Sequence, residues 1–270
     1  CSRWISNSLS TRILIFLQYS PRWRARVVSK YVNIFEAPPE TATHVSGRPT
    51  VLKCVAGGNP APVIKWMKNG VILEGVTNEI FSVHPSSIGR MTSKLVIEAP
   101  DNGDVFTCVA TSGTNVQTTS TTVFTDARKY YYRYLTLYYY IQLLGKPPPI
   151  ITAYYDEIMQ AMGTTITLPC RVHSTTTAEV YWVDQNDQVV YGNKSTVLLL
   201  VYGLNVSVLS YAKKKLMKTL TWKNLLFIVL PSGDLRIPEL VFSDMGGYTC
   251  VAENMFGKDS FNTFLYPYSR

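Results

Sequence analysis

The segment CVAGGNPAPVIKW, Cys54 to Trp66, sets a tryptophan twelve residues after a cysteine, and the same interval recurs in CRVHSTTTAEVYW, Cys170 to Trp182. Each pair is followed by a second cysteine, Cys108 in NGDVFTCVA and Cys250 in DMGGYTCVAEN. Around all of these residues apolar and polar positions alternate, the period expected of a strand with one buried face. Leu52, Cys54 and Ala56 point one way and Val51, Lys53 and Val55 the other; Ile166, Leu168, Cys170 and Val172 do the same against Thr165, Thr167 and Arg171. Ile64 shares a face with Trp66, and Val180 with Trp182. Phe106, Cys108 and Ala110 fall inward, as do Tyr248, Cys250 and Ala252. Each copy therefore places two cysteines and one tryptophan on inward faces.

This arrangement resembles the immunoglobulin fold, in which a tryptophan packs on a disulfide joining two sheets. The resemblance implies an all-β chain of two tandem I-set immunoglobulin-like sandwiches, residues 31–126 and 147–268, with bridges Cys54–Cys108 and Cys170–Cys250 and core tryptophans Trp66 and Trp182. Residues 1–30 form an unassigned extension, and 127–146 a linker with a tyrosine-rich insertion. Within Gly57 to Gly70, Pro60 and Pro62 keep the loop extended and Asn69-Gly70 supplies the positive φ angles of a tight hairpin turn. Asp244, Gly246, Tyr248 and Cys250 match the tyrosine corner of the family, where the hydroxyl bonds back to the backbone. The first copy has Asn102, Asp104, Phe106 and Cys108 there, without a hydroxyl, so its corner is expected to be weaker. Bridges closing 54 and 80 residues would each stabilise by about 4 kcal/mol on the chain-entropy model. They imply an oxidising compartment; the alternative is a reduced, buried set in an intracellular muscle-type scaffold.

The formal charge is +8, but its distribution is uneven. Residues 1–30, 127–146 and 194–223 hold sixteen Lys/Arg and no acid, which leaves the rest of the chain at −8. The basic character thus lies outside the regular pattern, and no phosphate loop, zinc spacing or RNA-binding motif accompanies it, which argues against nucleic acid as a partner. Two of these stretches interrupt the pattern. Arg128 to Leu144 holds seven of the eighteen tyrosines, and the uncharged run Ser195 to Ala212 is long enough to suggest a membrane span. A span there would put Cys170 and Cys250 on opposite sides of a bilayer, which one sandwich cannot tolerate. Both stretches read as surface excursions or as translated non-coding sequence; excising about 195–228 would join YGNK directly to VLPSGDLRI. The first residues lack Met and carry an apolar core of only Ile13 to Leu17, short for a secretory signal, so they read as a fragment or misassigned start.

No catalytic, cofactor-binding or metal-binding set emerges. His44, His84 and His173 lie far apart without ligand spacing, His173 is expected in a loop, and Asp244 is structural within its corner. Asn193 and Asn205 begin N-glycosylation sequons.

The second copy is more particular. Leu168 to His173 (LPCRVH), Gly233 to Ile237 (GDLRI) and the ending Phe256 to Pro267 resemble the secreted two-immunoglobulin (zwei-Ig) proteins of nematodes, related to the insect neural/ectodermal development factor. That resemblance implies a secreted, extracellular, non-enzymatic protein-binding chain of the nervous system, acting in axon positioning, axon guidance, neuron maintenance or cell adhesion. Its partner would be an extracellular or cell-surface protein, or an insulin-like peptide held by a decoy. Contact is expected on outward sheet faces or between the domains.

Overall fold

The computed structural model describes residues 29–73, 83–125, 147–191 and 227–269. The N-terminal extension up to residue 28, the Arg128–Leu144 insertion, the run Ser195–Ala212 and the sequons at Asn193 and Asn205 lie outside the described residues. No helix among the described residues is long and apolar enough to cross a membrane.

The described residues form two β-sandwiches. The first contains β1 (Tyr31–Glu36), β2 (Thr41–His44), β3 (Thr50–Asn59), β4 (Val63–Lys68), β5 (Val71–Ile72), β6 (Ile88–Ile97), β7 (Asp104–Ser112) and β8 (Asn115–Thr125). The second contains β9 (Ile150–Ala161), β10 (Ile166–Leu168), β11 (Arg171–His173), β12 (Glu179–Val183), β13 (Val189–Tyr191), β14 (Ile228–Val229), β15 (Leu235–Ile237), β16 (Gly246–Asn254) and β17 (Gly257–Tyr268). Alternation becomes burial as the pattern requires: Cys54, Trp66, Cys108, Cys170, Trp182 and Cys250 have at most 1% of their surface exposed. Asn69 and Gly70 adopt φ of 50° and 83° between β4 and β5, the left-handed pair that matches hairpin twist.

The sheets do not divide as the sequence suggests. One sheet runs in the order β1-β3-β6-β9-β17-β16-β12-β13, with β11 also pairing β9. It therefore passes from the first sandwich into the second without interruption. The seam is antiparallel pairing of β6 with β9, Ile88 opposite Met159 through Ser93 opposite Ala153, with a bulge between Arg90 and Met91. A five-stranded sheet, β2-β8-β7-β4-β5, backs the first sandwich and a three-stranded sheet, β10-β15-β14, the second.

The seam explains two departures from the simple alternation. Val55, on the outward face of β3, is buried because it stands in a row with Thr92 of β6 and Tyr154 of β9. The strand expected over Ile166 to Val172 is divided: β10 pairs with β15, whereas β11 pairs with β9 in the other sheet. Pro169 lies at the break, where a residue without an N–H cannot sustain the ladder.

Two further expectations are corrected. His173 is the last residue of β11, opposite Ile150, and not a loop residue. The insertion taken to reach about residue 228 ends earlier, because Phe227 is buried with its ring edge-on to Tyr248, centroids 6.0 Å apart, and Ile228 and Val229 pair with Arg236 and Leu235.

Candidate binding surface

The residues singled out from the sequence assemble into two structural centres, one per sandwich. Sulfur joins Cys54 to Cys108 and Cys170 to Cys250. In the first, the Trp66 indole N–H donates to Ser93 Oγ at 3.0 Å. In the second, the Trp182 indole N–H donates to the Gly233 carbonyl at 2.8 Å. Gly233 has φ of +91°, and a Cβ there would approach the Cys170 carbonyl to 2.9 Å. Glycine is thus required where this backbone turns under the tryptophan.

The corners differ in chemistry. In the second sandwich the Tyr248 hydroxyl donates to the Asp244 carbonyl at 2.9 Å, and Asp244 Oδ2 accepts the Val241 N–H at 2.9 Å. Gly246 lets the chain pass Gln185, whose Cβ would lie 2.5 Å from an added Cβ. Burial pushes the Tyr248 hydroxyl well above the ordinary tyrosine value, with Asp244 and Asp184 adding to it. In the first sandwich, Phe106 leaves that hydroxyl out, and a network on Asp104 occupies the corner instead. Asp104 Oδ1 accepts Asn69 Nδ2 at 2.8 Å, its Oδ2 accepts the Asp101 N–H at 2.7 Å, and Lys68 Nζ lies 2.8 Å away. Burial alone would raise the Asp104 carboxyl, but bonds from Lys68, Asn69 and the Asp101 backbone outweigh it and hold the group below its ordinary value. Lys68 is raised, chiefly by its hydrogen bond to Asp104.

The seam carries residues that the sequence pattern did not mark. Tyr155 is buried; its hydroxyl donates to the Pro62 carbonyl of the first sandwich at 3.0 Å, and its own carbonyl accepts Thr263 Oγ1 of the second at 2.7 Å. Thr92 Oγ1 donates to Asp156 Oδ2 at 2.7 Å, and Tyr268 hydroxyl donates to the Ser86 carbonyl. Tyr154 stacks on Phe261 and receives Lys94 over its ring; burial, then Asp156, pushes its hydroxyl up to about 12. His173 reaches Glu98 at 3.2 Å across the same junction. The stretch ITAYYDEIMQA, Ile151 to Ala161, supplies most of β9, and nothing local in it says which strand of the first sandwich it joins.

Beyond the seam, several large apolar side chains face solvent. Phe35 is 55% exposed under the Arg90 guanidinium, and Met255, with its neighbour Phe256, tips the β16–β17 hairpin at 84% exposure. Asn254 fixes that hairpin, donating to Ser174 and Thr176 oxygens and accepting the Phe256 N–H. Exposed aromatic and Met side chains on rigid strands and turns are suited to protein contact. Among the described residues no group of three or more His, Cys, Asp or Glu could hold a metal ion.

Residues 33–112 and 148–254 match the immunoglobulin domain model. The chain is 26% identical over 260 residues to the neural/ectodermal development factor IMP-L2 of Drosophila melanogaster, spanning 92% of this chain and 80% of that protein. It is 28% identical over 242 residues to the zwei Ig domain protein zig-4 of Caenorhabditis elegans, spanning 86% and 78%. The crystal structure of IMP-L2 superposes with a TM-score of 0.64 at 24% identity, covering 90% of this chain and 97% of that one, a likeness of fold.

Proposed function

We propose, from the premise that this chain belongs to the immunoglobulin domain family, that it is a secreted two-domain binding protein of the nervous system. Its relatives are immunoglobulin-domain proteins, a binding class and not an enzyme class, and extracellular protein contact is the role that follows from the kinship. The sandwiches are taken as residues 31–126 and 147–268. Axon positioning, neuron maintenance or cell adhesion is the finer reading.

The observation that carries extracellular residence is the pair of disulfides, Cys54–Cys108 and Cys170–Cys250, each beside a buried tryptophan. Such bridges belong to oxidising compartments. They weigh against the reduced muscle-type scaffold, which would present four free internal thiols. Thiol counting on the native protein tests this: no reactive thiol among the four is expected, and four would overturn the reading.

A second reading, sequestration of an insulin-like peptide, is what the resemblance of Leu168–His173, Gly233–Ile237 and Phe256–Pro267 to the zwei-Ig proteins and their insect relative implies. Immobilised full-length chain is expected to retain such a peptide on a sensor surface. A flat response would remove this reading and leave the cell-recognition one standing.

A further inference from the structure

We infer that the two sandwiches are one rigid body that folds cooperatively, with β9 acting as a strap shared by both. Domains joined by a linker ordinarily move relative to each other unless a large apolar interface holds them. Rigidity between the two sandwiches is a property of the seam between β6 and β9.

The seam supplies it in three ways. β9 has strands on both sides: β6 of the first sandwich along one edge, β11 and then β17 of the second along the other. Opening the junction would strip a ladder of backbone hydrogen bonds from β6 and leave an unpaired edge. Next, Ile151, Ala153, Tyr155 and Ile158 of β9 are all at most 2% exposed and belong to one hydrophobic cluster containing both disulfides and both core tryptophans. Separating the sandwiches would expose to water the part of this surface that the first sandwich covers. Finally, Tyr155 is held at both ends, its hydroxyl by Pro62 of one sandwich and its carbonyl by Thr263 of the other. The Thr263 bond anchors Tyr155 within the second sandwich, so moving the first sandwich away takes the Pro62 carbonyl from a buried hydroxyl.

The consequence is functional. Surfaces on the two sandwiches are presented at a fixed separation, so a partner that touches both loses little free energy to ordering them. This holds whatever the partner is, and the binding reading above survives if the inference fails.

Two measurements on the full chain test it. Nitroxide labels at Val71→Cys and Met255→Cys, which are 70% and 84% exposed on different sandwiches, are placed in a Cys1→Ser background and their separation is measured by double electron–electron resonance. One narrow distance distribution is expected; a broad one would overturn the rigid body. Cooperativity is read by native-state hydrogen exchange in Ile64→Val, a mild change in the core of the first sandwich. The slowest amides of β12 and β16 in the second sandwich should lose protection by the same factor, about three- to tenfold, as those of β4 and β7. Unchanged protection in β12 and β16 would overturn the shared folding unit.

Discussion

The two corners solve one problem with different chemistry. In the second sandwich a neutral hydroxyl, Tyr248, ties β16 back to Asp244. In the first, where Phe106 stands instead of tyrosine, a buried carboxylate gathers Lys68, Asn69 and the Asp101 backbone and ties β7 to the β4–β5 turn. Loss of a conspicuous motif residue is therefore not loss of the lock. The two locks do differ in how they respond to pH and to substitution, and that difference can be measured.

The largest effects probe what the corners share. Replacing Cys54 and Cys108 together by Ala should cost about 4 kcal/mol, and replacing Cys170 and Cys250 slightly more, because the second bridge closes 80 residues against 54. Urea titration of each double variant checks this; equal or inverted costs would show that native-state packing outweighs loop entropy. Next in size is the excised insertion. Removing residues 192–226 should leave the second sandwich folded, whereas removing 195–228 also deletes Phe227 from beside Tyr248 and should cost about 3 kcal/mol more, the loss expected for a core aromatic. Comparing the melting temperatures of the two deletions separates the boundaries.

Smaller effects separate the corners. Tyr248→Phe leaves the Asp244 carbonyl short of a buried donor and should cost about 1–3 kcal/mol. The reciprocal change, Phe106→Tyr, should bring no comparable gain, since Asp104 already holds that corner. Asp104→Asn should cost about 1.5–3 kcal/mol at neutral pH, the range for a hydrogen-bonded charge, and the cost should depend on pH. The folded-state carboxyl is held below the ordinary value of 3.8, so its contribution is present above that value and disappears as the pH falls through the lowered one. Chemical denaturation at pH 7 and at pH 2 should show the gap between native chain and variant closing, while Tyr248→Phe shows a constant gap across the same range.

These contrasts also mark what could be read without coordinates. The inward cysteines and tryptophans are legible because period-two burial and a twelve-residue interval are local facts, while the pairing of the cysteines follows from the resemblance to the immunoglobulin fold; the hairpin at Asn69-Gly70 is legible because two left-handed residues require their side-chain types. The division of one strand into β10 and β11 has its signal in Pro169, within the LPCRVH stretch. The seam had none. That β9 joins β6 depends on which edge of the first sandwich is free and near, and an alternating segment such as ITAYYDEIMQA carries no address for its neighbour. The role of Asp104 is not local either: its partners Lys68 and Asn69 stand some 35 residues earlier, on the β4–β5 hairpin.

The smallest expected effect concerns the tryptophans themselves. Trp66 donates to a side chain, Ser93 Oγ, and Trp182 to a backbone carbonyl, that of Gly233. Only the first acceptor can be removed by substitution. Ser93→Ala should leave a buried indole N–H without its partner and cost about 1 kcal/mol, with the bridge beside it unchanged. Because Ser93 sits opposite Ala153 in the seam, the cost should appear equally in probes of both sandwiches. If the loss registered in the first sandwich alone, the tryptophan bond would be a private feature of that domain, and the coupling through β9 would stop short of its core.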